Sequence, residues 1–193
     1  MKTENYIQNS IKVKESIIAD QSLIQVINDA SRMLLNTINQ GGKILLAGNG
    51  GSAADSQHIA AEFVSRFQFD RPGLPSIALT TDTSALTAIG NDYGFEQLFS
   101  RQLQAIGSEK DVFIGITTSG KSPNILRAFD YCKSAKIKSI CLTGNSKALN
   151  PNIVDLLFEV PSSVTAHIQE SHIMIGHILC MKVENELFQN KKN

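Results

Sequence analysis

No stretch of the sequence approaches the roughly 18 consecutive apolar residues that a membrane-spanning helix requires, so no membrane partner is expected. The opening segment Met1 to Ser10 has no apolar core of the signal-peptide kind, and the expectation is a cytoplasmic protein. An excess of one charge is missing too: 18 basic residues meet 18 acidic ones, for a formal net charge of zero. Proteins that hold nucleic acid draw their affinity from a basic surface, so no nucleic-acid partner is expected. Cysteine is scarce. Cys132, Cys141 and Cys180 are odd in number, show no CxxC spacing and sit among apolar neighbours. That argues against a disulfide framework or a zinc knuckle and for buried free thiols. Internal repeats, low-complexity tracts and linkers are also lacking. With 42% hydrophobic and 19% charged residues, the 193-residue chain reads as one globular domain over 1–193, with Lys191-Lys192-Asn193 as a frayed tail.

What is present is an alternation of short apolar runs and amphipathic stretches. Residues 1–40 read as a helical extension of two helices. In the second, Leu23, Ile24, Ile27, Ala30, Leu34, Leu35 and Ile38 fall at spacings of three and four. Gly41-Gly42 ends it, and Lys43–Ala47 follows as a buried strand. Further strands are expected at 76–79, 111–116, 139–142 and 153–160, with helices at about 53–67, 84–106 and 122–135. Strands separated by helices of that length predict an α/β fold whose mostly parallel sheet is covered on both faces. A C-terminal helix is expected over 165–188. Two flanking helical extensions are more than about five strands need, so apolar helical surface is expected to be shared between copies of the chain.

In such sheets ligands bind beyond the C-terminal strand ends, where loops meet helix N-termini. Three segments occupy that position. Gly48-Asn49-Gly50-Gly51-Ser52 follows the first strand. Its glycines and free amides suit an anion, yet it is neither GxGxxG nor a loop ending in GK[ST], and a bare strand-to-helix turn explains it equally well. Thr117-Thr118-Ser119-Gly120-Lys121-Ser122 follows another strand and offers four hydroxyls beside backbone amides. A simple N-cap needs one hydroxyl, whereas four suit a phosphate group. Gly90-Asn91-Asp92-Tyr93-Gly94 reads either as a plain turn between two helical pieces or as a pair of side chains for sugar hydroxyls.

Two regions carry candidates for chemistry. His58 and Glu62 stand four apart on the helix after the glycine turn, which places them on one face. They can share a divalent metal or supply a general base; an ordinary surface ion pair has the same spacing. The C-terminal helix carries His167, Gln169, Glu170, His172 and His177. His177 lies in apolar sequence, where a histidine is more often a core residue than a ligand. Gln169 and His177 are eight apart, about 12 Å along a helix. A common ion for those two would call for a neighbouring subunit or an irregular helix.

Taken together, the glycine turn with His58-Ile59-Ala60-Ala61-Glu62, then Arg71-Pro72-Gly73, Gly90-Asn91-Asp92-Tyr93-Gly94-Phe95, Thr117–Ser122, Leu142-Thr143-Gly144 and Ile168-Gln169-Glu170-Ser171-His172 resemble the phosphoheptose isomerases, in order and over almost the whole chain. The resemblance implies a flavodoxin-like SIS (sugar isomerase) domain, a three-layer sandwich around a parallel sheet, with N- and C-terminal helices added. It implies conversion of sedoheptulose 7-phosphate to D-glycero-D-manno-heptose 7-phosphate through an enediol, the first step towards nucleotide-activated heptose. It further implies a homotetramer with active sites at subunit interfaces and one zinc ion per subunit. By matching position, Glu62 resembles the catalytic base and His177 its acid partner. His58, Glu62, Gln169 and His177 match zinc ligands. Asn49, Gly50, Gly51, Ser52, Glu62, Asn91, Asp92, Thr117, Thr118, Ser119, Ser122 and Gln169 match substrate contacts. Where some relatives place an acidic residue three positions before the glutamine, this chain has Ala166, so no role transfers there. A second branch of the fold, non-enzymatic tetramers that bind the replication initiator protein, shares several motifs but lacks the residues matching Glu62 and His177. A sugar-phosphate-sensing regulator is a third class, but residues 1–40 hold no helix-turn-helix with a basic face.

Overall fold

The computed structural model describes residues 2–145 and 147–189. The tail expected at 191–193 lies outside them. Two helices lead, α1 (Thr3–Ala19) and α2 (Gln21–Asn39), parted at Asp20, whose carboxylate accepts hydrogen bonds from the Ser22 and Leu23 amides and so starts the second helix. The sheet strands are β1 (Ile44–Gly48), β2 (Ser76–Ala78), β3 (Val112–Thr117), β4 (Lys138–Gly144) and β5 (Leu156–Val160). All pair in parallel in the order β2-β1-β3-β4-β5. The connecting helices are α3 (Gly51–Val64), α4 (Thr83–Tyr93), α5 (Leu98–Ile106) and α6 (Pro123–Ala135); α7 (Thr165–Glu184) closes the chain and runs into a π-helical turn over 185–189.

The expected α/β sheet covered on both faces is what forms. β1 shows why: Ile44 and Leu46 point into a core with Leu34, Phe63, Ile114, Ile175 and Leu179, while Leu45 and Ala47 point into another with Phe99, Leu103, Phe113 and Phe129. A strand buried on both faces has no polar side, so it reads as an unbroken apolar run rather than an alternating one. Each large side chain sunk in these cores contributes about 1.5–3 kcal/mol. All three cysteines are buried and free. Among the described residues no helix is long and apolar enough to cross a membrane.

Two expected elements differ. The helix read over 84–106 breaks at Gly94, which takes a φ of 90°, and resumes through a 3-10 turn over 95–97. The expected strand at 153–160 begins only at Leu156, because Pro151–Ile153 coil into a 3-10 turn that the Asn150 side chain caps at the Asn152 amide. The topology matters for the site. Strand order reverses between β1 and β3, since their following elements lead to opposite edges, and the crevice at that switch point is where ligands bind in open parallel sheets.

Candidate active site

Both segments flanking the switch point are shaped for an anion. After β1 the chain turns sharply: Gly50 adopts φ 55° and ψ −122°, a conformation that side chains rarely tolerate, and α3 starts directly at Gly51. Gly51 lies under the Gln169 side chain from α7; a Cβ there would sit 2.5 Å from Gln169 Nε2. Ser52 is buried within the first turn of α3. After β3, Thr117 Oγ1 and Ser122 Oγ lie 3.0 Å apart, and the Lys121 amide donates to Ser119 Oγ. Ser122 holds the N-cap position of α6, but its hydroxyl turns to Thr117 instead of closing the helix, and Pro123 follows as the first helical residue. This loop thus keeps hydroxyls together at a helix start rather than consuming one as a cap. Thr118, Ser119 and Lys121 line a groove of about 210 Å³ with Asn145, Ser162 and Thr165.

The glycine turn and the serine loop are joined. Asn49 Nδ2 donates to Asn124 Oδ1 at 2.9 Å, and Asn124 Nδ2 donates back to Asn49 Oδ1 at 2.8 Å. Asn124 is wholly buried and also accepts from the Ile125 amide. Sequence reasoning missed it, although its place beside Pro123 at the start of α6 is a signal. Asn91 and Asp92 belong to the last turn of α4 rather than to a turn between helices. They are exposed and bond to each other at 2.8 Å.

The titratable residues meet where α3 packs on α7. His58 Nε2 lies 3.2 Å from Glu62 Oε1 and 3.4 Å from His177 Nε2. Ligand atoms of the three residues all fall within 4.8 Å of one another. Close packing of the helices brings this about: Gly176 rests directly on Ile59, and a Cβ at 176 would reach within 2.4 Å of it. Phe67 stacks on the His177 ring, with centroids 5.5 Å apart and planes at 27°. Two imidazole nitrogens and a carboxylate oxygen converging without a dedicated donor are a donor set that suits a divalent transition ion. Cys180 stands nearby, but burial first and the Glu62 charge second raise its thiol far above the usual range, so it stays neutral.

Two readings from the chain alone need adjustment. His177 is part-exposed at the site, while His167 and His172 are the buried histidines. Three of the four ligand candidates, His58, Glu62 and His177, meet within one chain, while Gln169 stands apart from them. Gln169 lies just over two turns from His177 along α7, against Gly51. Asp55, one turn before His58, went unnoticed. Its Oδ2 is buried without a hydrogen-bond partner, and burial raises its carboxyl against the opposing pull of His58.

Comparison with known proteins decides the family. The sequence profile of the SIS domain matches residues 5–144. A phosphoheptose isomerase of Aneurinibacillus thermoaerophilus is 58% identical over 188 residues, covering 97% of this chain and 95% of that protein. The chain belongs to the phosphoheptose isomerase family. Phosphoheptose isomerase 2 of Campylobacter jejuni is likewise 58% identical, over 96% of this chain and 92% of its own. The solved phosphoheptose isomerase of Francisella tularensis superposes with a TM-score of 0.89 at 38% identity, covering 94% of this chain and 96% of that one. These relatives lend no support to the initiator-binding alternative.

Proposed function

We propose that this chain is an aldose–ketose isomerase that converts sedoheptulose 7-phosphate to D-glycero-D-manno-heptose 7-phosphate. The observation that carries the reading is the convergence of His58, Glu62 and His177 beside the switch point of a chain 58% identical to phosphoheptose isomerases. Glu62 takes a proton from C1 of the open-chain ketose, and the C1–C2 enediol forms as the C2 oxygen gains a proton. Return of a proton to C2 and loss of one from the C1 hydroxyl leave the aldehyde. His177, on the other side of the pair, moves protons at the oxygens and assists ring opening. A carboxylate and an imidazole held this close to one substrate carbon pair are the equipment such a transfer needs.

His58, Glu62 and His177 would hold a zinc ion, with Gln169 of a neighbouring copy as the fourth ligand, and the ion when bound supplies an electrophile for the substrate oxygens. Thr117, Thr118, Ser119 and Ser122 receive the phosphate. Asn49, Gly50, Gly51, Ser52, Asn91, Asp92 and Gln169 contact the sugar, with the distant phosphate contributing the binding energy that positions C1 and C2. The protein works in the cytoplasm as a homotetramer and feeds nucleotide-activated heptose to a surface glycan. Assembly is supported by exposed Ile7, Ile11 and Ile18 on α1 and by an apolar groove of about 350 Å³ beside His177, lined by Ile173, Met174, Ile178 and Met181.

The test is turnover of sedoheptulose 7-phosphate by purified protein before and after chelation. Glu62→Gln or His177→Ala should lower kcat by at least about 10²-fold while the assembly survives. Wild-type protein that binds the sugar phosphate, is supplied with zinc and still shows no turnover overturns the enzyme reading.

A further inference from the structure

Behind the site lies an ion pair that none of the substrate or metal roles uses. The side chains of Arg71 and Glu184 are 2% and 0% exposed, with Arg71 Nε 2.9 Å from Glu184 Oε1. The guanidinium also donates to the main-chain carbonyl of Glu62 at 2.8 Å, and to those of Phe63 at 2.6 Å and Ser65 at 3.1 Å. The first two are final carbonyls of α3, which lack partners within the helix, and Ser65 is its C-cap residue. Glu184 completes the arrangement from α7. Its two oxygens accept the Phe67 amide at 3.0 Å and the Gln68 amide at 2.8 Å. Phe67 in turn backs the His177 ring. Glu184 follows His177 by seven residues, so both project from one face of α7 towards α3.

We infer that Arg71 and Glu184 are positioning residues for the reaction: a buried clamp that fixes Glu62 through its own main chain and His177 through Phe67. Neither touches the reacting atoms. A buried ion pair is a poor device for stability alone, because desolvation offsets its attraction and well-packed apolar residues often serve as well or better. What apolar residues cannot do is hold two α3 carbonyls, the carbonyl of Ser65 just after the helix and two loop amides in one geometry. Here those groups belong to the segment from Glu62 to Gln68, which carries one ligand candidate and the ring that supports another.

The inference rests on the isomerase reading and is tested on the full-length protein. Glu184→Gln presents an amide group where two N–H donors need acceptors. The double variant Arg71→Met/Glu184→Met refills the space without charge. For a folded variant, the expected result is a fall in kcat of about 10–100-fold, KM within about threefold, and zinc affinity measured by chelator competition lowered about 10–100-fold. A purely structural pair would instead move the melting temperature and leave kcat and zinc affinity of the folded protein unchanged, and that result overturns the clamp. In wild-type protein, hydrogen exchange at the Phe67 and Gln68 amides should slow when zinc is added, since site and clamp are coupled. Exchange indifferent to zinc overturns it even where every variant fails to fold. Failure of the isomerase reading looks different: wild-type protein supplied with zinc then shows no turnover, whatever the variants do, and the clamp inference falls with it.

Discussion

Replacing Gly176 with alanine should damage catalysis far more than folding. The added Cβ would lie 2.4 Å from Ile59 Cδ1 and 2.6 Å from its Cγ1. Carbon atoms rest at about 3.5–4.0 Å, so α7 and α3 must part by roughly 1 Å, or Ile59 must leave its rotamer. Ile59 is 1% exposed and has nowhere to go. Overpacking of this kind costs about 1–3 kcal/mol, and the gain in helix propensity from glycine to alanine returns about 1 kcal/mol. Net destabilisation of about 0–2 kcal/mol leaves the protein folded. His177 is the next residue, however, and it faces His58 across this contact at 3.4 Å. A misplacement of about 1 Å can cost about 10²-fold in rate, so kcat should fall by about that factor in a variant whose melting curve is nearly normal. The compensating change is specific. Ile59→Ala removes both clashing carbons and leaves Ile59 Cβ, 3.8 Å from the new methyl, as the nearest atom. Alone, Ile59→Ala should lower stability by about 2–5 kcal/mol and spare kcat in the folded fraction. Combined with Gly176→Ala, it should recover most of the lost kcat. Steady-state kinetics beside thermal unfolding on the three variants decide the matter. A folded Gly176→Ala protein with kcat within threefold of wild type, or a folded double variant with no recovery, refutes the reasoning.

Two further outcomes follow from buried polar groups. Burial holds the His172 imidazole down to about 4, against 6.5 in the unfolded chain, with its bond to the Thr143 carbonyl opposing. Between pH 6.5 and 4 the unfolded chain therefore binds more protons, so this residue removes up to about 3 kcal/mol of stability as pH falls through that window and none above it. Denaturant unfolding from pH 7 to 4 should show the loss, and His172→Gln, which keeps an N–H for Thr143, should flatten it; identical slopes would refute the assignment. Asn124→Asp keeps the oxygen that serves Asn49 and Ile125 but sets a carboxylate against Asn49 Oδ1, in place of the donor there. A buried acceptor left unpaired costs about 1–3 kcal/mol, and because Asn49 belongs to the glycine turn the loss should appear as a KM for sugar phosphate raised about tenfold or more, with kcat less affected. Unchanged KM in a folded variant would show that the amide pair does not position the turn.

Much of this molecule is legible in the chain because local and tertiary demands agree. Ile44–Gly48 and Val112–Thr117 are strands buried on both faces, and a largely apolar short run has few other uses in a globular chain. Gly94 and Pro151 moved element boundaries because local turn chemistry overrides an apolar run that would otherwise continue. His58 and Glu62 could be paired from spacing alone, since the helix brings residues four apart together wherever it lies in the fold.

The rest depended on contacts between distant segments. His177 reads as a core histidine because its neighbours are apolar, yet those neighbours line a groove and the contact with α3, while His172, five residues earlier, is the one held in the interior. Sequence context reports the polarity of a helix surface; it does not say which part of that surface meets another helix and which meets a cavity. Glu184 illustrates the same limit from the other side. A glutamate in the last turn of a helix reads as solvated, and its seven-residue spacing from His177 places it on the His177 face only if α7 continues straight against α3. The small residue at 176 is what allows that approach, and Arg71, over a hundred residues earlier, is what makes a buried carboxylate tolerable there. A charge that looks out of place in the fold is thus accounted for only when the helix packing, its partner and the site they frame are taken together.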